Sequence, residues 1–210
     1  MCIRDRVFNR RLFWDARESN LAQQVWSPLL PENEMNNPSV GHVLEQLHSD
    51  KEYFDMFMNT FGETANIMNV GQALAQYQQS LIGGSSRFDQ WYFGRDKNAL
   101  NELEQQGFAV FMGKGACQSC HSIGDNYALF TDHQLHNTGV GYEDSMRKTP
   151  KSIAIQLAPG MSAEVDKELI NSVGEKKEND LGLYEVTLNP PDRWKYRTPS
   201  LRNVALTAPY

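Results

Sequence analysis

The sequence predicts an all-α protein, on three observations. Apolar residues recur at helical spacing over much of the chain, as in residues 54–61, where four large apolar side chains follow the i, i+3, i+4, i+7 pattern of a core-facing helix. N-cap residues and glycines flank several of these stretches. Strand signals are limited to short pieces such as residues 184–187.

The first predicted helices are short. Apolar residues repeat at four-residue spacing in residues 21–26, and the proline-rich loop of residues 28–38 ends that helix. A second helix begins after Ser39. The third helix contains the apolar face described above, and Ser49 and Glu52 have the spacing of a capping box at its start.

Longer helices follow. Residues 67–81 carry one apolar stripe and are closed by the glycines at 83–84, because glycine readily adopts the left-handed conformation at a helix end. Another helix covers residues 100–112. Residues 125–151 lack periodicity and are predicted to form a long loop wrapped around a ligand. Residues 161–173, with a serine as N-cap, form the last predicted helix.

The motif Cys117-Gln118-Ser119-Cys120-His121 has the spacing of a c-type haem attachment site. Each thiol can form a thioether to a haem vinyl group, and the imidazole of His121 can bind the iron. Two alternatives remain open from this stretch alone. A redox-active cysteine pair needs no histidine, and a zinc site could use His133 and His136, one residue short of the usual spacing.

Composition excludes several classes of protein. The chain has 210 residues, of which 40% are hydrophobic and 22% charged, as expected for a globular protein with one or two cores. It has no run of about 18 apolar residues, so no membrane span is expected. The net charge of −6 is spread along the chain, which argues against a nucleic-acid partner and is compatible with docking a small basic cytochrome.

Several separated stretches together resemble the bacterial dihaem cytochrome c peroxidases. They match this family in order and spacing, and the resemblance extends over residues 7–210. The matching stretches are Phe13-Trp14-Asp15-Ala16-Arg17, the loop ending in Glu34-Met35, the haem motif, Phe130 and Asp132 with His136-Asn137-Thr138-Gly139, and the closing residues 198–210. The related dihaem maturase of methylamine utilisation shares most of these motifs.

The resemblance implies two cytochrome c-like lobes. Residues 7–95 are then the remainder of an N-terminal, peroxidatic lobe, and residues 96–210 an incomplete C-terminal lobe whose haem accepts electrons. Residues 1–6 are expected to be non-native. The chain is expected to be a fragment that lacks the first haem motif and the C-terminal end, and therefore to be inactive by itself.

For the intact enzyme, the resemblance implies reduction of hydrogen peroxide to water. Electrons would come from a small cytochrome c or a cupredoxin and pass through the haem bound here. The implied cofactors are covalent haem c, one in this chain and two in the intact protein, and a calcium ion. The expected location is the periplasm, and a homodimer is an expected assembly. Alternatives are a maturase-like oxidase acting on a protein tryptophan and an electron-transfer cytochrome without peroxidase chemistry.

The resemblance also assigns roles to residues outside the haem motif. Glu34 would shuttle a proton at bound peroxide and Gln24 would orient peroxide, although both could equally be solvated side chains. Trp14 would carry an electron between the haems, a role compatible with a buried anchor. The backbone carbonyls of Thr207 and Pro209 would help to bind calcium.

The resemblance also bears on the backbone at Ala16 and on the role of Met161. Ala16 stands where the family usually has glycine, and its β-carbon matters only if the backbone there has a positive φ. Met161 follows Cys120 at a distance typical of the sixth ligand in small cytochromes c. The resemblance instead puts that ligand after Tyr210, so Met161 is expected to pack at the start of its helix.

Overall fold

The structure is a computed structural model that describes residues 5–146, 152–158, 161–172 and 180–206. Helices predominate, and two small antiparallel sheets accompany them. The helices are α1 (Leu21–Gln24), α2 (Trp26–Leu29), α3 (Val40–Ser49), α4 (Lys51–Phe61), α5 (Ile67–Ser80), α6 (Arg87–Tyr92), α7 (Glu102–Met112), α8 (Val140–Met146), α9 (Lys167–Ser172) and α10 (Tyr184–Thr187). The strands are β1 (Leu135–His136), β2 (Ser152–Ala158), β3 (Met161–Asp166) and β4 (Tyr196–Arg197).

The described residues fall into two compact units. The first takes in those of Met1–Arg17, Gln79–Gly141 and Leu181–Tyr210, and the second those of Glu18–Gln78 and Tyr142–Asp180. The division into lobes at residues 7–95 and 96–210 stays a prediction. Asp5 is buried, its backbone N–H donates to Leu81 O at 2.9 Å, and its carboxylate accepts from Gly83 N at 2.7 Å.

The core of the second unit lies between α3, α4 and α5. Phe57, Ala65 and Val70 are buried together, and partly buried apolar side chains surround them: Trp26, Leu44, Leu47 and Phe61. At Gly71, a β-carbon would collide with the backbone carbonyl of Ala22. The close approach of helices α1 and α5 therefore requires glycine at this position, because any side chain would force the two helices apart.

In the first unit, aromatic rings join α6 and α7 to the loop after the haem motif. The ring of Phe88 lies 5.0 Å from that of Phe130 and 5.6 Å from that of Phe108, measured between centroids. Trp91, Tyr92 and Phe93 extend the same cluster. The prediction that residues 88–93 form packed surface rather than a free linker is confirmed.

The predicted all-α fold needs correction at residues 152–166. These residues form the hairpin β2–β3, in which Ile153 faces Val165 and Ile155 faces Ala163. Along β3, Ala163 and Val165 are half-buried and the residues between them are exposed, which is the period-two alternation of a strand. The predicted helix over 161–173 is therefore wrong in its first half. Its second half is confirmed as α9, and Val173 lies outside the described residues.

Three local predictions also differ from the structure. Residues 184–187 form α10 rather than a strand, and the stretch predicted as a loop after residue 125 contains β1 and α8. Helix α4 is capped by Asp50, whose carboxylate accepts from Glu52 N at 2.9 Å, and not by Ser49. Asp50 has the extended backbone an N-cap requires, whereas Ser49 still belongs to α3.

The predicted apolar faces of α4 and α5 are only partly buried. Phe57 and Val70 lie in the core, whereas Phe54, Met58 and Tyr77 remain exposed. None of the described helices is long and apolar enough to cross a membrane.

Candidate functional site

The haem motif lies on a tight turn directly after α7. Cys117–Ser119 form one 3₁₀ turn, entered through Ala116 in the left-handed conformation at φ 51°. His121 N donates to Cys117 O at 2.9 Å, so the turn brings the imidazole close to the cysteine pair. Both thiols are free, Cys117 exposed and Cys120 half-buried. At Gly115 a β-carbon would lie 2.8 Å from Val110 O, so the backbone packs tightly here.

The imidazole of His121 is oriented by one hydrogen bond. Its Nδ1 lies 2.8 Å from the carbonyl oxygen of Phe130. Because a carbonyl oxygen can only accept, Nδ1 must carry the proton and Nε2 keeps its lone pair. This arrangement is typical of a histidine that binds a metal through Nε2.

The loop that supplies this carbonyl is held on both sides. Thr131 Oγ1 donates to Thr198 O at 2.7 Å, and Ser122 Oγ donates to Thr131 O at 2.9 Å. Thr131 and Thr198 are both buried. The position of Phe130 O, and with it the orientation of His121, therefore depends on contacts with the C-terminal segment.

Arg202 makes the second connection. Its Nε donates to Ala128 O at 2.6 Å, and Nη1 donates to Gly83 O at 3.1 Å. Both of its terminal nitrogens donate to the Asp89 carboxylate, at 2.6 and 2.7 Å. The guanidinium thus ties α6 and the loop after the haem motif to residues 198–206.

The donor set fits a covalent haem c. Cys117 and Cys120 are free for two thioether bonds, and His121 Nε2 is free for iron. The zinc alternative is not assembled as predicted. In the part of the chain that the structure describes, the donors within 4.8 Å of one another are those of Cys120, Asp132 and His136, without Cys117 or His133.

Asp132 and His136 bind each other instead. His136 Nε2 lies 2.7 Å from Asp132 Oδ2. Burial opposes ionisation of Asp132, but hydrogen bonds from Gln134 N–H, His136 and Thr198 outweigh it and hold the pKa of this carboxyl below its ordinary value. Asp132 therefore already has partners for its negative charge.

Trp14 lies beside the C-terminal segment with its side chain 55% exposed. Its backbone carbonyl accepts from Arg197 N at 2.8 Å. The buried anchor of this stretch is the neighbouring Phe13, whose ring lies 3.5 Å below the guanidinium carbon of Arg17. The indole is thus exposed, and its role in electron transfer stays a prediction.

Ala16 adopts a left-handed backbone at φ 61° and is 2% exposed. The position is therefore one where glycine is favoured, and the β-carbon is a real departure from the family's usual residue. This conformation costs an L-residue with a β-carbon about 1–2 kcal/mol.

Gln24 and Glu34 belong to one helix–loop segment of the second unit. Gln24 ends α1 and is half-buried, whereas Glu34 is exposed in the loop after α2. That loop is well tied: Glu34 N donates to Pro31 O at 3.0 Å, and Asn37 Nδ2 donates to Leu29 O at 2.8 Å. Glu34 therefore carries a solvent-accessible carboxylate on a loop whose backbone is fixed by hydrogen bonds.

Thr207 and Pro209 lie outside the described residues, so calcium binding there stays a prediction. Met161 is the first residue of β3 and is 60% exposed. The expectation that it packs at the start of a helix is wrong, and a role as sixth ligand stays untested.

Sequence reasoning did not assign roles to Arg197 and Arg202. Arg202 lies in the closing motif, but its carboxylate partner is 113 residues away, a separation that no local pattern reveals. Arg197 is 2% exposed, although nothing in its sequence neighbourhood indicates burial.

The chain matches known proteins over nearly its whole length. The family model described as di-haem cytochrome c peroxidase matches residues 2–97, although residues 1–6 were expected to be non-native, which stays a prediction. Cytochrome-c peroxidase IdrP1 of Pseudomonas sp. is 33% identical over 212 residues, covering 97% of this chain and 52% of its own length. The methylamine utilization protein MauG of Methylorubrum extorquens is 30% identical over 203 residues, covering 94% of this chain and 45% of its own length.

Solved structures agree in fold. A MauG-like protein associated with microbial copper homeostasis superposes with a TM-score of 0.68 at 24% identity, over 99% of this chain and 56% of that protein. The diheme peroxidase BthA from Burkholderia thailandensis superposes with a TM-score of 0.64 at 23% identity, over 92% and 46%.

The chain spans about half the length of the curated relatives it matches. Both relatives match more than nine-tenths of this chain. The chain belongs to the dihaem cytochrome c peroxidase family.

Proposed function

We propose that this chain is part of a periplasmic dihaem enzyme that reduces hydrogen peroxide to water. Its electrons come from a small cytochrome c or a cupredoxin. The observation that carries the proposal is the pairing of two free thiols with an imidazole whose Nδ1 is bound to Phe130 O. The relatives named cytochrome-c peroxidase support the reaction.

Cys117, Cys120 and His121 would hold the haem in this chain. When bound, it supplies a centre that accepts and passes on single electrons. The chain's own contribution is to fix His121 through Phe130 O and to keep Nε2 unprotonated. The buried contact of Thr131 and the half-buried contact of Arg202 hold that carbonyl in position.

Glu34 is the proton-transferring group in this proposal. Peroxide cleavage needs a group that removes a proton from one oxygen and delivers it to the other. The carboxylate of Glu34 is exposed on a loop held by backbone hydrogen bonds, so it can meet peroxide without distorting the fold. The half-buried amide of Gln24 would orient the peroxide, and the exposed indole of Trp14 would pass the electron.

The first test concerns attachment. The chain, exported from cells that carry the haem-maturation machinery, should give a band on denaturing gels stained for haem. Cys117→Ala with Cys120→Ala should abolish this band, because each thiol forms one of the two covalent bonds. A band that persists in the double variant contradicts the assignment, as does a protein that contains zinc and no haem.

The second test concerns Glu34 in the intact enzyme. Glu34→Gln should slow peroxide cleavage by about 100- to 10,000-fold, the usual contribution of general acid–base catalysis. Stopped-flow mixing with peroxide would follow oxidation of the haems. Glu32→Gln, in the same exposed loop, is the matched control and should leave the rate unchanged. Near-normal rates for Glu34→Gln would remove this residue from the mechanism.

A second candidate function is a maturase-like oxidation of a protein tryptophan. The MauG relative favours it, since its 30% identity is close to the 33% of the peroxidase. The two candidates differ in the sixth ligand of the electron-accepting haem, expected to be methionine in a peroxidase and tyrosine in a maturase. The near-infrared and electron paramagnetic resonance spectra of the intact protein distinguish these ligands. An electron-transfer cytochrome would show neither peroxide cleavage nor dependence on Glu34.

A further inference from the structure

Arg197 is a buried cation without an acidic partner among the described residues. Its side chain is 2% exposed, Nε donates to Phe13 O at 3.3 Å, and Nη1 donates to Thr198 O at 3.0 Å. Nη2 is buried with no hydrogen-bond partner, and no carboxylate in the described part of the chain pairs with this guanidinium. A buried charge in this state costs several kcal/mol unless another group compensates it.

The surroundings of Arg197 are also positive. Burial and then the like charge of Arg6 lower the pKa of Arg197 to about 10, so it remains charged at neutral pH. Burial, Arg10 and Arg197 together lower the pKa of the nearby His133, against the opposing charge of Asp132. Asp132 is already bound to His136, so it does not neutralise the guanidinium of Arg197.

His133 carries a second orphaned nitrogen. Its Nδ1 is buried and has no hydrogen-bond partner among the residues that the structure describes. It lines a cavity of about 150 Å³ together with Thr131 and with Asp132, whose carboxylate is bound to His136. The charged guanidinium of Arg197 and two orphaned nitrogen atoms, Arg197 Nη2 and His133 Nδ1, fit a site for one negatively charged oxygen group.

The position of this site relative to the haem motif follows from shared contacts. Thr198 O accepts from both Arg197 Nη1 and Thr131 Oγ1. Thr131 directly follows Phe130, whose carbonyl orients His121. Arg197 is therefore linked through Thr198 and Thr131 to the loop whose carbonyl orients the candidate iron ligand.

We propose that Arg197, assisted by His133, binds a propionate carboxylate of the haem attached at Cys117 and Cys120. The inference rests on the proposed haem site. A carboxylate supplies the missing negative charge and accepts from Arg197 Nη2, and charge-assisted bonds of this kind are the stronger ones. An inorganic anion offers similar chemistry, and the test separates the two sources.

The test uses the full-length haem protein and compares Arg197→Gln and Arg197→Lys with Arg193→Gln. Arg193 is an exposed arginine four residues away, so its substitution makes the same charge change outside the site. Arg197→Gln should shift the propionate bending band in the resonance Raman spectrum. It should also weaken haem reduction about tenfold, equivalent to about 59 mV for one electron, because a positive charge favours the reduced state. Arg193→Gln should change neither measurement.

An attached haem with an unchanged propionate band and potential in Arg197→Gln would overturn the proposal and leave the haem site intact. A wild-type protein without haem would instead overturn the proposed function. If Arg197→Gln does not fold, Arg197→Lys decides the question. Lysine keeps the positive charge but lacks the planar fork of the guanidinium. The propionate bending band should therefore shift while the haem reduction potential changes little, and an unshifted band overturns the proposal.

Two measurements need no variant of Arg197. Infrared difference spectra with ¹³C-labelled propionates should show one propionate that stays ionised throughout the neutral range, and titration of both propionates there would overturn the proposal. Phosphate at about 1 mM, too dilute for the general stabilising effect of this salt, should not raise the melting temperature of the haem-loaded protein. A phosphate effect that persists with haem bound would assign the site to a free anion and overturn the propionate.

Discussion

The ion pair between Asp89 and Arg202 gives the sharpest prediction for stability. The two carboxylate oxygens accept from the two terminal nitrogens of Arg202, and the side chains are only 14% and 11% exposed. Ser86 Oγ also donates to this carboxylate, at 2.7 Å. Asp89→Asn removes the negative charge and turns an amide N–H₂ toward a guanidinium that can only donate.

The loss in free energy of unfolding that Asp89→Asn causes follows from the pKa shift of the Asp89 carboxyl. The hydrogen bonds of Arg202, with smaller help from Ser86 and against burial, lower the pKa of Asp89 from 3.8 to about 2. This fall corresponds to about 2 kcal/mol of stability from the ionised form. The folded-state pKa is depressed, so this stability is present above pH 3.8 and is lost as the pH falls towards 2. Asp89→Asn should therefore lose at least about 2 kcal/mol at neutral pH.

Urea denaturation of wild type and Asp89→Asn, repeated from neutral pH down to pH 3, measures this difference. It should shrink as the pH falls, because protonation makes the wild type resemble the variant. Glu104→Gln is the control, since Glu104 is also bound by an arginine, Arg87, through two short contacts but at an exposed site. Equal losses in both variants, or a difference independent of pH, would refute the reasoning.

Two further substitutions test packing. Gly71→Ala should destabilise the protein by about 1–3 kcal/mol in urea, because its β-carbon would collide with Ala22 O, whereas Gly107→Ala, with nothing within 4 Å, should gain about 0.5–1 kcal/mol from helix propensity. A neutral Gly71→Ala would show that α1 and α5 separate freely. Thr131→Val should lose about 1–3 kcal/mol by removing the buried bond to Thr198 O, and Thr131→Ser should retain most of it; similar melting temperatures for both would argue against that bond.

The helices with a clear apolar period were predictable, since α4, α5 and α7 lie close to their expected ranges. The hairpin β2–β3 was not, because alternating and helical spacing overlap in a short stretch containing Val165, and pairing with residues that precede it in the chain decides between them. The capping box was misassigned by one residue, since Ser49 and Asp50 are both good N-caps and only the end of α3 selects Asp50.

The sequence by itself determined the donor set of the candidate haem site. Two cysteines and a histidine at that spacing lie on one turn whatever surrounds them, because the spacing is local. Only the tertiary structure decided which nitrogen of His121 faces outward, why Ala16 is strained, and that Arg197 is buried with an unpaired donor. These features depend on contacts between segments far apart in the chain. Burial makes such polar contacts energetically important, but they produce no periodic pattern in the sequence.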